Sequence, residues 1–456
     1  MIFFVLLIGA ASAAAPGLLQ SALSNPAVFT KLFSEYGVAQ DRHYLAQERR
    51  LRAGLFRQTL KEVVEHNGVG DREDWVMELN MFADMTEEEK AGYTGFNASQ
   101  ALESLGDVEE AVVPQYLSNP SSKDWRGVAV TKVKDQKSCG SCWIFSGFGA
   151  LEGHYKTQGS ILKSFSEQEG LNCIQRNGCK GGFMGKVFDW LKKSNRVGAM
   201  KDLPYSGRQG SCSGNSQNAL IAFRVTGYSN ARGDSGHVTA LATKGPLSVG
   251  YSVASDFFKY KGGVYRRSSC SGGGHAVTSV GYTADYFRMK NSWGARWGES
   301  GYFRIGRGNV CGITNMGFAP TFQSTGQTDN GTDEGGDDGG DDGGDDDNNK
   351  TCTDNHSRCS EWAGRNPSEC AENWTYMKSN CQKSCQQCGC QDMSAKCGGW
   401  KAKGYCGSGG YVDYMNFVCR KSCDKCGKDD GGDGGDCQEG FKKCPDGSCK
   451  HEHWDC

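Results

Sequence analysis

Cys139-Gly140-Ser141-Cys142-Trp143-Ile144-Phe145-Ser146, with Gln136 six residues ahead of Cys142, is the stretch on which the reading of this chain turns. From Ile144 onward the apolar residues Ile144, Phe148, Leu151 and Tyr155 recur at helical spacing, which predicts a buried helix with Cys142 at its amino end. There the free backbone N–H groups and the positive end of the helix dipole favour a thiolate over a thiol. A cysteine nucleophile also needs a base within hydrogen-bond reach. Of the eight histidines, His154 shares the cysteine's helix, His43 and His66 come before this region, and His356, His451 and His453 lie beyond an acidic stretch. That leaves His237 and His275. A blander reading makes Cys139 and Cys142 a redox or zinc pair.

His275 stands in Gly272-Gly273-Gly274-His275-Ala276-Val277, followed by Asn291-Ser292-Trp293-Gly294 and then Trp297-Gly298-Glu299-Ser300-Gly301-Tyr302. Four separated motifs in this order outweigh the redox and zinc readings. The chain resembles a papain-like cysteine protease, whose His and Asn fall roughly 130 to 150 residues after the nucleophile. The resemblance selects His275 over His237 and implies an endopeptidase acting on protein or peptide substrates, with no cofactor, metal or nucleic acid. Cys142 would attack the scissile carbonyl, and His275, as imidazolium, would protonate the leaving amine. Asn291 would orient the imidazole. The Gln136 amide and the Cys142 N–H would bind the oxyanion, and Trp293 would shield the Asn–His pair from water. Ile144 stands where family members usually carry Ala.

The chain has 23 cysteines, seven of them in the catalytic region. The resemblance implies the pairs Cys139–Cys179, Cys173–Cys212 and Cys270–Cys311, with Cys142 left unpaired. So many cysteines point to an oxidising compartment. In agreement, residues 1–15 hold an apolar run and Ala11-Ser12-Ala13, as a signal peptide would. The protein is therefore expected to be secreted or to reach a lysosome or digestive vacuole, with no membrane span. Triplets for glycosylation at Asn97, Asn330, Asn349, Asn355 and Asn373 are compatible with that route.

Residues 16–117 read as a prosegment. Within Tyr44 to Asn67, Glu48, Arg52, Phe56, Val63 and Asn67 recur at helical spacing, and Asn80-Met81-Phe82-Ala83-Asp84 follows, with Glu78 where Gly is usual. Both stretches are similar to the inhibitory prosegment of cathepsin L-like proteases. Such a segment would run backwards through the cleft of its own enzyme until cut near Tyr116 to Ser122. Residues 118–322 would form an α+β peptidase domain of two lobes. The helical lobe bears Cys142, with helices at Cys142 to Tyr155 and Met184 to Lys193; the β-barrel-like lobe bears His275, with strands at Leu247 to Val253, Ala276 to Tyr282 and Tyr302 to Ile305. Gly181, Gly182 and Phe183 match the family loop that pairs with substrate backbone, with Lys180 in place of the commoner Asn. Met184 and Met316 would line an apolar S2 pocket, preferring Leu, Phe or Val to Arg at P2.

Beyond residue 322 the composition changes. Residues 323–351 and 427–436 are acidic Asp/Gly linkers. Between them, residues 352–388 and 390–426 repeat a six-cysteine pattern ending Cys-x3-Cys-x2-Cys, and units this small need disulfides to fold. They resemble ShK-type toxin modules. Thr375-Tyr376 and Asp413-Tyr414 stand where the toxins carry a Lys-Tyr pair, so binding a surface or glycan is implied rather than channel block. Residues 437–456 look like the first part of an LDL-receptor class A repeat without its calcium cluster. The net charge of −2 hides a basic catalytic region and an acidic linker.

Overall fold

The computed structural model describes residues 16–68, 74–104, 119–212, 223–267 and 269–326, together with Cys423, 441–443 and 449–451. The expected signal segment, residues 116–118 of the expected cleavage region, nearly all of the linkers and both six-cysteine modules apart from Cys423 lie outside the described residues.

The prosegment opens with three helices, α1 (Pro16–Ser24), α2 (Pro26–Ala39) and α3 (Ala46–Asn67). Asn25 starts α2 by accepting the N–H groups of Ala27 and Val28, with Pro26 in the first turn. Phe29, Leu32, Phe33 and Tyr36 of α2 then pack on Phe56 and Leu60 of α3 in a core of their own. The sequence reading named only α3; α1 and α2 are additions, although Phe29, Leu32, Phe33 and Tyr36 fall at helical spacing. Strand β1 (Trp75–Met77) follows, then the short helices α4 (Glu87–Ala91) and α5 (Ala98–Ser104). The buried Asp84 carboxylate ties these pieces together by accepting the hydroxyls of Tyr36 and Tyr44. Arg52 adds to this by bonding the Asp84 carbonyl and the Glu89 carboxylate.

After the short strand β2 (Lys123–Asp124) comes the helical lobe: α6 (Cys142–Thr157), α7 (Glu167–Cys173) and α8 (Gly185–Ser194). Trp143, Phe148, Leu151, Tyr155, Phe188 and Leu191 build its core. The second lobe contains β3 (Phe223–Asn230), α9 (Gly233–Thr243), β4 (Leu247–Ser252), β5 (Tyr260–Tyr265), β6 (Gly274–Tyr282), β7 (Tyr286–Lys290), β8 (Tyr302–Gly306) and β9 (Gly317–Ser324). The strands run in the order β1-β5-β8-β7-β6-β4-β9-β3, with β2 paired to β6. Among the described strands, only β5 and β8 pair in parallel. Phe257, Trp293, Trp297 and Phe303 centre the core on this sheet. The prosegment strand β1 extends the sheet by pairing antiparallel with β5, Trp75 opposite Gly263.

Disulfides join Cys139 to Cys179, Cys173 to Cys212 and Cys270 to Cys311, and Cys142 is the free cysteine among the described residues. No helix among the described residues is long and apolar enough to cross a membrane. The unit from Gly344 to Cys456 contributes one described hairpin, β10 (Phe441–Lys443) against β11 (Cys449–His451).

Candidate active site

Cys142 is the first residue of α6 and is fully buried. The Cys139–Cys179 bridge holds the preceding loop against a facing one, where the Gly140 N–H donates to the Cys179 carbonyl at 2.8 Å. Only glycine fits there, because a Cβ on Gly140 would lie 2.6 Å from the carbonyl oxygens of both Cys179 and Thr94.

His275 enters near the start of β6, and its Nε2 lies 2.8 Å from Asn291 Oδ1. That oxygen also accepts the Ser292 N–H, so Nε2 is the donor and carries the proton. Nδ1 is left without a hydrogen-bond partner among the described residues. Trp293 stacks on the imidazole at 4.7 Å and 28°. Gln136 is locked beside them: its backbone N–H donates to the Ser292 carbonyl, and its Oε1 accepts the Ser292 hydroxyl at 2.7 Å. The structure thus gathers Gln136, His275, Asn291 and Trp293 in one place. His237, the other histidine left open by the sequence, is buried in α9 against Phe287.

In this closed form, burial opposes the thiolate–imidazolium pair expected of the reacting enzyme. Burial pushes the Cys142 thiol up to about 12, against the pull of the N–H groups of Ala276, Trp143 and Cys142 itself. Burial likewise pushes His275 down to about 4, although the bond to Asn291 favours its charged form. Burial thus works against the charged form of both groups.

The prosegment lies across this site and adds to its burial. Gly95 and Phe96 donate their N–H groups to the Gly274 carbonyl at 2.8 and 2.9 Å, Gly182 donates to the Gly95 carbonyl at 2.8 Å, and Asn97 donates to the Gly182 carbonyl at 2.9 Å. Phe96 and Gly182 pair in parallel. The Tyr93 carbonyl accepts both the Gln136 side-chain N–H, at 3.2 Å, and the Trp293 indole N–H, at 3.0 Å. Phe96 joins the cluster of Met184, Met316, Ala276 and Phe183. Its ring rests over Gly250, where an added Cβ would lie 2.6 Å from it. A Cβ on Gly182 would lie 2.5 Å from the Trp143 indole, so this glycine allows the loop to approach α6. Gly181, with φ at +103°, turns the same loop. Sequence reading missed Tyr93, Phe96, Gly250 and Gly274. Of these, only Gly274 had a signal, in the glycine run before His275.

Three parts of the chain match known protein families. Residues 119–321 match the papain family cysteine proteases, 33–89 the cathepsin propeptide inhibitor domain (I29), and 351–388 and 389–426 the ShK domain-like family. Fruit bromelain of Ananas comosus is 34% identical over 314 residues, covering 64% of this chain and 87% of the relative. The cathepsin L-like proteinase of Fasciola hepatica is 36% identical over 308 residues, covering 63% and 89%. Among solved structures, digestive procathepsin L2 proteinase from Tenebrio molitor larval midgut superimposes with a TM-score of 0.60 at 31% identity, covering 64% of this chain and 99% of that one.

Proposed function

From the premise that the chain belongs to the papain family and is a papain-like cysteine endopeptidase carrying an inhibitory prosegment, we propose that Cys142 is its nucleophile and His275 the base that takes the thiol proton. The observation that carries this reading is a free cysteine at a helix start whose sulfur is reached by the N–H of Ala276, the residue that follows an imidazole fixed by Asn291. Once the prosegment leaves, water enters and the charged pair becomes accessible. The thiolate attacks the carbonyl carbon. The oxyanion is held by the Cys142 N–H and the Gln136 amide, which is released from the Tyr93 carbonyl. His275 then gives its proton to the leaving amine. Water hydrolyses the thioester with the imidazole acting as base, which restores the thiol.

The prosegment supports a specificity reading. Phe96 lies among Met184, Met316 and Ala276, above a glycine that leaves room for its ring. This favours apolar P2 residues, with Phe accommodated as readily as Leu or Val and Arg disfavoured. Residues 118–322 would be the mature peptidase, freed by cleavage near Tyr116 to Ser122. The ShK-like modules would serve binding or targeting, and the protein would be secreted or lysosomal.

Treating the activated enzyme with an epoxide inhibitor selective for such thiols, then mapping the adduct by mass spectrometry, tests the nucleophile. Modification at Cys142 with complete loss of activity is expected. Activity surviving in Cys142→Ala would refute the assignment. A P2 library in which Arg substrates match Leu and Phe would refute the pocket.

A further inference from the structure

Strand β4 sets Tyr251 directly opposite His275 in the ladder, so both side chains leave the same face of the sheet. The phenol ring lies 5.9 Å from the imidazole, at 63° to it. Phe257 and Phe303 hold that ring in turn, at 5.8 and 5.9 Å. The imidazole is therefore touched by two aromatic rings from different elements, Trp293 and Tyr251.

Tyr251 is only 3% exposed, yet its hydroxyl has no hydrogen-bond partner among the described residues. A buried phenol O–H ordinarily finds a partner, and leaving one unmade is costly. Phenylalanine would fill nearly the same volume without that cost. The ring that carries this unsatisfied group lies beside the histidine on which charge has to form during the reaction.

We propose that Tyr251 is a positioning residue for the catalytic pair: its ring holds the imidazole of His275 at a fixed tilt, and its hydroxyl dipole supports the Cys142–His275 ion pair once the prosegment has left. This rests on reading those two residues as the reacting pair. The titratable groups facing Tyr251 are His275 on β6, Cys142 at the start of α6 and Tyr265 on β5. The Tyr265 hydroxyl donates to Asp256, which also pairs with Arg267. Burial first, then Tyr265 and Cys142, hold the Tyr251 phenol well above its ordinary range, so it stays a neutral donor at every working pH. In a site of low dielectric such a dipole acts more strongly on a charge than it would in water.

The test compares the activated wild type with Tyr251→Phe and Tyr251→Leu. In Tyr251→Phe the thermal midpoint should stay level or rise, because an unpaired hydroxyl is gone. Its kcat should fall roughly three- to tenfold, the scale of one lost polar interaction, with KM nearly unchanged. The bell of kcat/KM against pH should narrow on both limbs, since neither the thiolate nor the imidazolium keeps its dipole. Tyr251→Leu, which also removes the ring, should lower kcat further. A wild-type bell and kcat in Tyr251→Phe would overturn the proposal. So would a loss of activity accompanied by an equal loss of thermal stability, which would mark the hydroxyl as structural. Should Tyr251→Phe fail to fold, Tyr251→Leu with a wild-type bell would refute it equally. Activity retained in His275→Ala would instead sink the assignment of the pair, whatever Tyr251→Phe does.

Discussion

At Cys142 two physical effects compete, and their magnitudes decide the outcome. A helix amino terminus stabilises an adjacent negative charge by about 0.3 to 2 kcal/mol. Burial in the closed form raises the thiol from its ordinary 9.0 to about 12, roughly 4 kcal/mol against the thiolate. The second effect wins while the prosegment is in place. The sequence shows the helix start, and its resemblance implies a prosegment in the cleft, but which residues cover the sulfur was not legible. Alkylation by iodoacetamide at pH 7 should therefore be slower for the intact zymogen than for the activated enzyme by roughly a hundredfold or more, at about tenfold per pKa unit. Equal rates would rule out burial as the control. Gln136→Ala should lower kcat by about 10²- to 10³-fold, the usual loss for one oxyanion donor, and leave the rate of Cys142 alkylation in the activated enzyme nearly unchanged.

Among the elements, the prosegment strand and helix grip the β-rich lobe through two carboxylates with opposite pH behaviour. Glu62 of α3 lies 2.7 Å from Lys259. Burial raises its pKa, but the bond and charge of Lys259 outweigh that, and the net shift is downward from 4.5. Its grip is complete above the ordinary value and is lost as pH falls through the depressed one. Glu78, just after β1, lies 3.1 Å from Lys261 with one carboxylate oxygen unpartnered among the described residues. There burial dominates and the shift is upward, so the closed form binds the proton more tightly and Glu78 grips better as pH falls. Activation rate measured against pH should thus become flatter in Glu62→Gln and steeper in Glu78→Gln. The reverse order would refute this division of roles. These pairings were hidden in the sequence, because they depend on β1 docking against β5, a contact between residues nearly two hundred positions apart. Strands β4, β6 and β8, in contrast, were legible to within a residue or two, since their apolar runs are local. Helix α2 was legible but unread: Phe29, Leu32, Phe33 and Tyr36 fall at helical spacing behind an Asn25-Pro26 start, and what the sequence hid was their partner, α3. Thr94-Gly95-Phe96 carries no periodic pattern at all, so its place in the cleft could not be read.

For the molecule as a whole, the buried histidines bound the range of pH in which the fold is stable. Burial holds His154 down at about 3 and His237 at about 4, against an ordinary 6.5. The unfolded chain therefore takes up more protons than the folded one below about pH 6.5, and stability falls with pH down to those depressed values. The thermal midpoint of the Cys142→Ala zymogen should drop between pH 7 and pH 4, and His237→Gln should shrink that drop. A midpoint independent of pH would contradict this. Acid sets limits on the fold as well as on the prosegment. The direction of the chain in the cleft limits how this proenzyme can mature. Because Phe96 runs parallel to Gly182, the peptide bond nearest the sulfur is offered back to front and resists attack by its own nucleophile. The first cut must then fall elsewhere or be made by a neighbour already freed, so a purified preparation should mature with a lag that shortens on concentration and vanishes when a trace of finished protease is added.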